Sequence, residues 1–134
     1  MEQRTATAPP GLVGLLRRFV ESAGGFTLHH RTGEPAHDGV SVCATPEASL
    51  SFPLSAWDDA EVAAWFHTWA ARIRGSELHL GGWLDPATQW VSLDVVRVYP
   101  PDRRRDAVHQ GRALHQKAVF DLGEGEALAV VRTP

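Results

Sequence analysis

Residues 78–100 read LHLGGWLDPATQWVSLDVVRVYP and constrain the fold more than any other stretch of the chain. Val91, Leu93 and Val95 alternate with other residues, the period of a strand with one face on a core. Pro86, within Asp85-Pro86-Ala87-Thr88, presets the backbone angle a turn needs. Strands are therefore expected at 77–84 and 90–99, joined by that turn. Val96 and Val98 place apolar side chains on the opposite face, which implies burial there or a bulge. Gly81-Gly82 reads as a bulge or a close approach of another backbone. After Pro100-Pro101, residues 102–116 are helix-like, with Asp102 and Asp106 early and Ala107, Gly111 and Leu114 on one face. Strands follow at 117–122 and 127–131. Strand, helix and strand at this spacing suit a crossover that sets its two strands parallel, right-handed if they share a sheet.

The first half is read in the same way. Leu12, Leu15, Leu16, Phe19 and Ala23 recur at helical spacing over 11–23, and Gly24-Gly25 stops that helix. Short strands at 26–30 and 40–44 flank the turn-rich RTGEPAHDG and read as a hairpin-like pair. Residues 49–54 add an extended piece that Pro53 confines to an edge or a strand end. Ser55 and Asp58 have capping-box spacing ahead of a helix over 58–74. Val62, Trp65, Phe66, Trp69 and Ile73 form its apolar face, so Trp57, Trp65 and Trp69 are assigned to packing rather than to ligand stacking. The expected fold class is α+β: one mixed, mainly antiparallel sheet of about five or six strands with three helices. It forms a single domain over 11–134 behind a flexible arm at 1–10.

Composition narrows the function classes. A chain of 134 residues with net charge −3 has no global field to draw it to nucleic acid or acidic membranes, and no apolar run approaches the roughly 20 residues of a membrane span. Its opening has no apolar segment behind a basic start, so no secretory signal is read there. The single cysteine, Cys43, forms no intramolecular disulfide and fits a reducing cytoplasm; among its apolar neighbours it reads as a small strand residue.

Three segments, GGFTLHHRTGEPAHDGVSV, LGGWLDPATQWVSLDVV and GRALHQKAVFDLGEGEAL, together resemble a set of short uncharacterised proteins of actinobacteria, their phages and mobile elements. The resemblance spans residues 24–128 and implies origin and fold rather than an activity. Gln89 departs from it, because the set usually carries glycine there. Glycine would suit a left-handed residue in a bulged hairpin, so glutamine implies a changed or strained turn.

Seven histidines invite a metal or acid–base role, but their spacing does not support one. His29 and His30 are expected on opposite faces of a strand, and His109 and His115 on different sides of a helix. Neither a zinc-finger arrangement nor HExxH is present. No metal and no cofactor are therefore expected. An RNA-cleaving toxin would need a base, an acid and a phosphate-holding arginine, which His29 or His30, Arg31, His109, Arg112 and His115 could supply. No serine lies in a G-x-S-x-G elbow, and neither glycine pair has phosphate-loop spacing. Arg103-Arg104-Arg105 reads as a solvated helix start, unfavourable against the helix dipole and so a weak hint of a partner. Asp94 and Asp121 lie within apolar strands and, if covered, need partners such as Arg97 or Arg112.

The leading expectation is a non-enzymatic accessory protein of a phage or mobile element, with anti-defence among its settings, that binds a host or phage protein in the cytoplasm. Arg31, Glu34, His37, Asp38, Trp83, Trp90 and Tyr99 are the candidate contact residues, since tryptophan, tyrosine and arginine dominate binding hot spots. Trp83 is nonetheless expected in the core. A nucleic-acid or membrane partner is not expected, and self-association stays open. The alternatives are the small nuclease and a small-molecule-binding sensor, the latter needing an enclosed pocket.

Overall fold

A computed structural model describes residues 11–36, 38–114, 118–124 and 126–129. The order of elements is α1 (Leu12–Ala23), β1 (Gly25–His29), β2 (Val40–Cys43), β3 (Leu50–Pro53), α2 (Asp59–Arg72), β4 (His79–Leu84), β5 (Trp90–Tyr99), α3 (Arg104–Ala113), β6 (Ala118–Asp121) and β7 (Glu126–Ala129). The fold is α+β, with three helices on one sheet ordered β1-β4-β5-β2-β6-β7 and β3 also paired with β5. Each pairing among the described residues is antiparallel. β4 takes one edge of β5, so β3 and β2 share the other: β3 pairs with its start at Trp90–Leu93, β2 with its end at Val96–Tyr99. The segment 1–10, expected to be flexible, lies outside the described residues.

All three helices cover the same face. Val91, Leu93 and Val95, each fully buried, meet Leu16 and Val20 of α1 and Val62, Trp65 and Phe66 of α2. Val40 and Val42 pair with Tyr99 and Arg97, which share the parity of Val95 along β5, so the cluster of Val40, Val42, Val119 and Ala107 of α3 lies on that face too. The core tryptophans keep their N–H groups satisfied: Trp65 Nε1 donates to the Ala48 carbonyl at 2.7 Å and Trp57 Nε1 to Asp59 Oδ1 at 2.7 Å. Trp69 packs against the cluster only in part and carries the Arg72 guanidinium over its ring at 4.8 Å.

Several expectations are corrected. β1 and β2 do not form a hairpin: β1 pairs with β4 from Gly25↔Trp83 to His29↔His79, while β2 pairs with β5 and β6. The seat for β1 is made by Gly82, where a side chain would strike the Phe26 ring; the register runs unbroken through Gly81-Gly82, so the pair makes room for a side chain rather than for a bulge or another backbone. The N-cap of α2 is Asp58, whose Oδ1 accepts from the amides of Ala60 and Glu61, and not Ser55, which lies in a one-turn 3-10 segment, Leu54–Ala56. The strands flanking α3 run parallel as expected, since β5 and β6 are both antiparallel to β2, but β2 separates them. The histidines are not on opposite faces, because the strand ends at His29 and the next residue turns: the His29 and His30 rings stack at 4.7 Å and 19°.

An acidic cleft on the helix-free face as the candidate functional site

The face opposite the helices follows from the strand registers. One row across the sheet is Thr27, Gly81 and Asp94; the next is Gly25, Trp83, Ser92 and Ser51; on the other side lie His29, His79, Val96 and Cys43, then Val98, Ser41 and Phe120. Directly paired residues project to one side, so these rows form a single surface. A cleft of about 880 Å³ opens on it, walled by Pro35 and Ala36 from the loop after β1 and by Pro46 after β2. Phe19 and Ala23 of α1 and Leu114 at the end of α3 reach its rim.

Its floor is made of small and hydroxylic residues around one carboxylate. Ser49 Oγ donates to Asp94 Oδ1 at 2.6 Å, Cys43 Sγ lies 3.9 Å from Ser49 Oγ, and the paired Ser51 and Ser92 hydroxyls are 3.3 Å apart. Burial pushes the Asp94 carboxyl above its ordinary range, against the opposing effect of the Ser49 hydrogen bond. Burial, with Asp94 beside it, also pushes up the Cys43 thiol, which makes it a poor nucleophile. Among the described residues that line the cleft, Asp85 and Asp94 are the charged ones, both acidic.

The candidate contact residues fall in three places. Trp83 and Trp90 share the helix-free face, Trp83 half-buried and lining the cleft, Trp90 48% exposed at its end. Trp83 is therefore not a core residue: its ring stands on the side of Ser92, while its neighbour Leu84 packs against the helix-side cluster. Arg31, Glu34 and Asp38 lie exposed around the loop after β1, and His37 lies outside the described residues. Tyr99 packs against the α3 cluster on the opposite face.

The groups proposed for RNA cleavage are not brought together. His29, His30 and Arg31 sit at the end of edge strand β1, whereas His109 and Arg112 are on α3, over β2 and β6 on the other face; β1 and β2 are three strand positions apart, about 14 Å. His115 lies outside the described residues. A third imidazole joins the first two instead, with His79 edge-on to His29 at 5.5 Å. His29 Nδ1 already accepts from the amides of Arg31 and Thr32, and burial leads the causes that lower both His29 and His79. Among the described residues no group of three or more His, Cys, Asp or Glu could hold a metal ion, and no helix is long and apolar enough to cross a membrane.

The arginine run is largely engaged within the domain: Arg103 pairs with Asp106, and Arg104 with Asp121 at 3.5 Å. Arg104 is thus the cation seen beside Asp121, and Asp94 has a hydroxyl for its partner. Sequence reasoning flagged Asp94 but missed the cleft around it. The available signal was the alternation His79, Gly81, Trp83 against Trp90, Ser92, Asp94, which aligns only once the hairpin register is fixed. No family model, curated protein or solved structure matches the chain.

Proposed function

We propose that the protein is a non-enzymatic binding protein, an accessory of an actinobacterial phage or mobile element acting in the cytoplasm, that holds a protein partner on the helix-free face of its sheet. The observation that carries this reading is the common placement of Trp83 and Trp90 on the face that also bears the acidic cleft. Aromatic residues beside a recessed polar group are the usual anchors of an interface. Asp85 and Asp94 as the charges among the described residues lining the cleft disfavour a phosphate backbone as the occupant, and His109 and Arg112 on α3 lie on the other face from His29, His30 and Arg31. A small-molecule-binding function is the second reading. It is favoured by the cleft's volume, which falls within the roughly 300–1,000 Å³ typical of ligand pockets.

The two readings separate in one experiment. The full chain and its Trp90→Ala variant are immobilised and exposed to actinobacterial lysate divided into macromolecular and low-mass fractions. Retention of one protein species by the parent chain, lost from the variant, is the expected result. Retention of a low-mass compound instead supports the second reading, and identical behaviour of the two chains removes the face from consideration.

A further inference from the structure

Asp94 presents an acceptor for which the described residues provide no cation. Its Oδ1 accepts from Ser49, no second hydrogen-bond or ion-pair partner is seen for the carboxylate among the described residues, and Asp94 lines the cleft. Directly opposite on β4 is Gly81, so the space beside the carboxylate on that side holds no side chain; a Cβ there would lie 3.3 Å from Val96 Cγ1. Trp83 lines the same cleft one row away, next to the Ser51 and Ser92 hydroxyl pair. The recess thus combines an open carboxylate oxygen, neutral hydroxyls and an aromatic ring, with no basic side chain among its described lining residues.

We propose that the Asp94 recess is a subsite for the guanidinium of an arginine side chain presented by the protein partner. This rests on the reading of the helix-free face as a protein-binding surface. Guanidinium is favoured over ammonium because its planar donors can reach a carboxylate and a hydroxyl together, while its weakly hydrated face packs on an aromatic ring. A half-buried, unneutralised carboxylate is costly to the folded chain, and an entering cation lowers that cost at the moment of binding. Charge complementarity therefore selects the occupant.

The test is a backbone amide NMR titration of the full chain with N-acetyl-arginine amide, N-acetyl-lysine amide and the neutral isostere N-acetyl-citrulline amide. Shifts centred on Gly81, Ser92 and Asp94 with the arginine compound are expected, with binding about tenfold weaker or more for citrulline, the scale of one charge-assisted hydrogen bond. Asp94→Asn, which keeps an acceptor for Ser49, should abolish the response, and Ser49→Ala should leave a weakened one at the same residues. Equal binding of arginine and citrulline, an unchanged response in Asp94→Asn, or lysine binding as tightly as arginine would overturn the assignment. Failure here with Trp90-dependent protein retention intact removes the subsite and keeps the face. An arginine response at Asp94 with no protein retained removes the protein reading alone.

Discussion

Gln89 and Gly82 show opposite ways in which a single residue bears on this fold. Gln89 is the only non-glycine residue with positive φ among those described, at 63°, in the turn where its amide donates to the Asp85 carbonyl at 2.7 Å. The left-handed conformation is costly for a side-chain-bearing residue, so Gln89→Gly is expected to stabilise the domain by about 0.5–1 kcal/mol, less what glycine adds to unfolded-chain entropy. Urea denaturation at constant m-value checks it; a loss of stability would show that the Gln89 side-chain bond to the Pro86 carbonyl, 3.3 Å, outweighs the strain. Gly82→Ala should instead cost roughly 1–3 kcal/mol, the usual range for overpacking, because the new methyl meets the Phe26 ring. Gly81→Ala should cost less, since its nearest obstacle is a Val96 methyl that can give slightly.

Individual helices and the β4–β5 hairpin were legible in the sequence because their determinants are local. The apolar spacing of α1, the stop at Gly24 with φ 84°, and the turn from Asp85 to Gln89 all act within a few residues. The partner of β1 was not legible, because it depends on a seat that Gly82 forms 56 positions after Phe26, and neither strand signals the other. The cap of α2 shows the limit even of local reading: Ser55 and Asp58 both suit an N-cap, and only the 3-10 turn at Leu54–Ala56 decides between them. Asp58→Ala is accordingly expected to cost about 1 kcal/mol, with Ser55→Ala close to neutral, as read by thermal unfolding of the two variants. The reverse order would restore the capping box.

At the scale of the molecule, three helices on one face give a two-layer domain whose opposite face, among the described residues, is polar at its centre and aromatic at its end. The candidate site was only partly legible for that reason: Trp83, Trp90 and Asp94 were singled out separately, and their common surface follows from the β4–β5 register. The same layout sets the response to pH. His79 is held below its ordinary value near 6.5 by burial, so as pH falls below about 6.5 the unfolded chain binds protons first and stability declines. His79→Leu should flatten that decline between neutral pH and pH 5 in denaturant titrations; an unchanged slope would place the sensitivity elsewhere. Asp94 acts in the opposite sense, because its raised value makes the folded state lose stability as pH rises above its unfolded value of about 3.9.

Thermal stability and partner retention of one variant, Asp94→Asn, measured together at pH 7, test the central claim that this carboxylate serves a ligand rather than the fold. The amide keeps the Ser49 hydrogen bond and removes the burden of a buried charge, so a higher Tm with loss of Trp90-dependent retention is predicted. A lower Tm with retention unchanged would show that Asp94 supports the sheet and that the cleft is not the binding site.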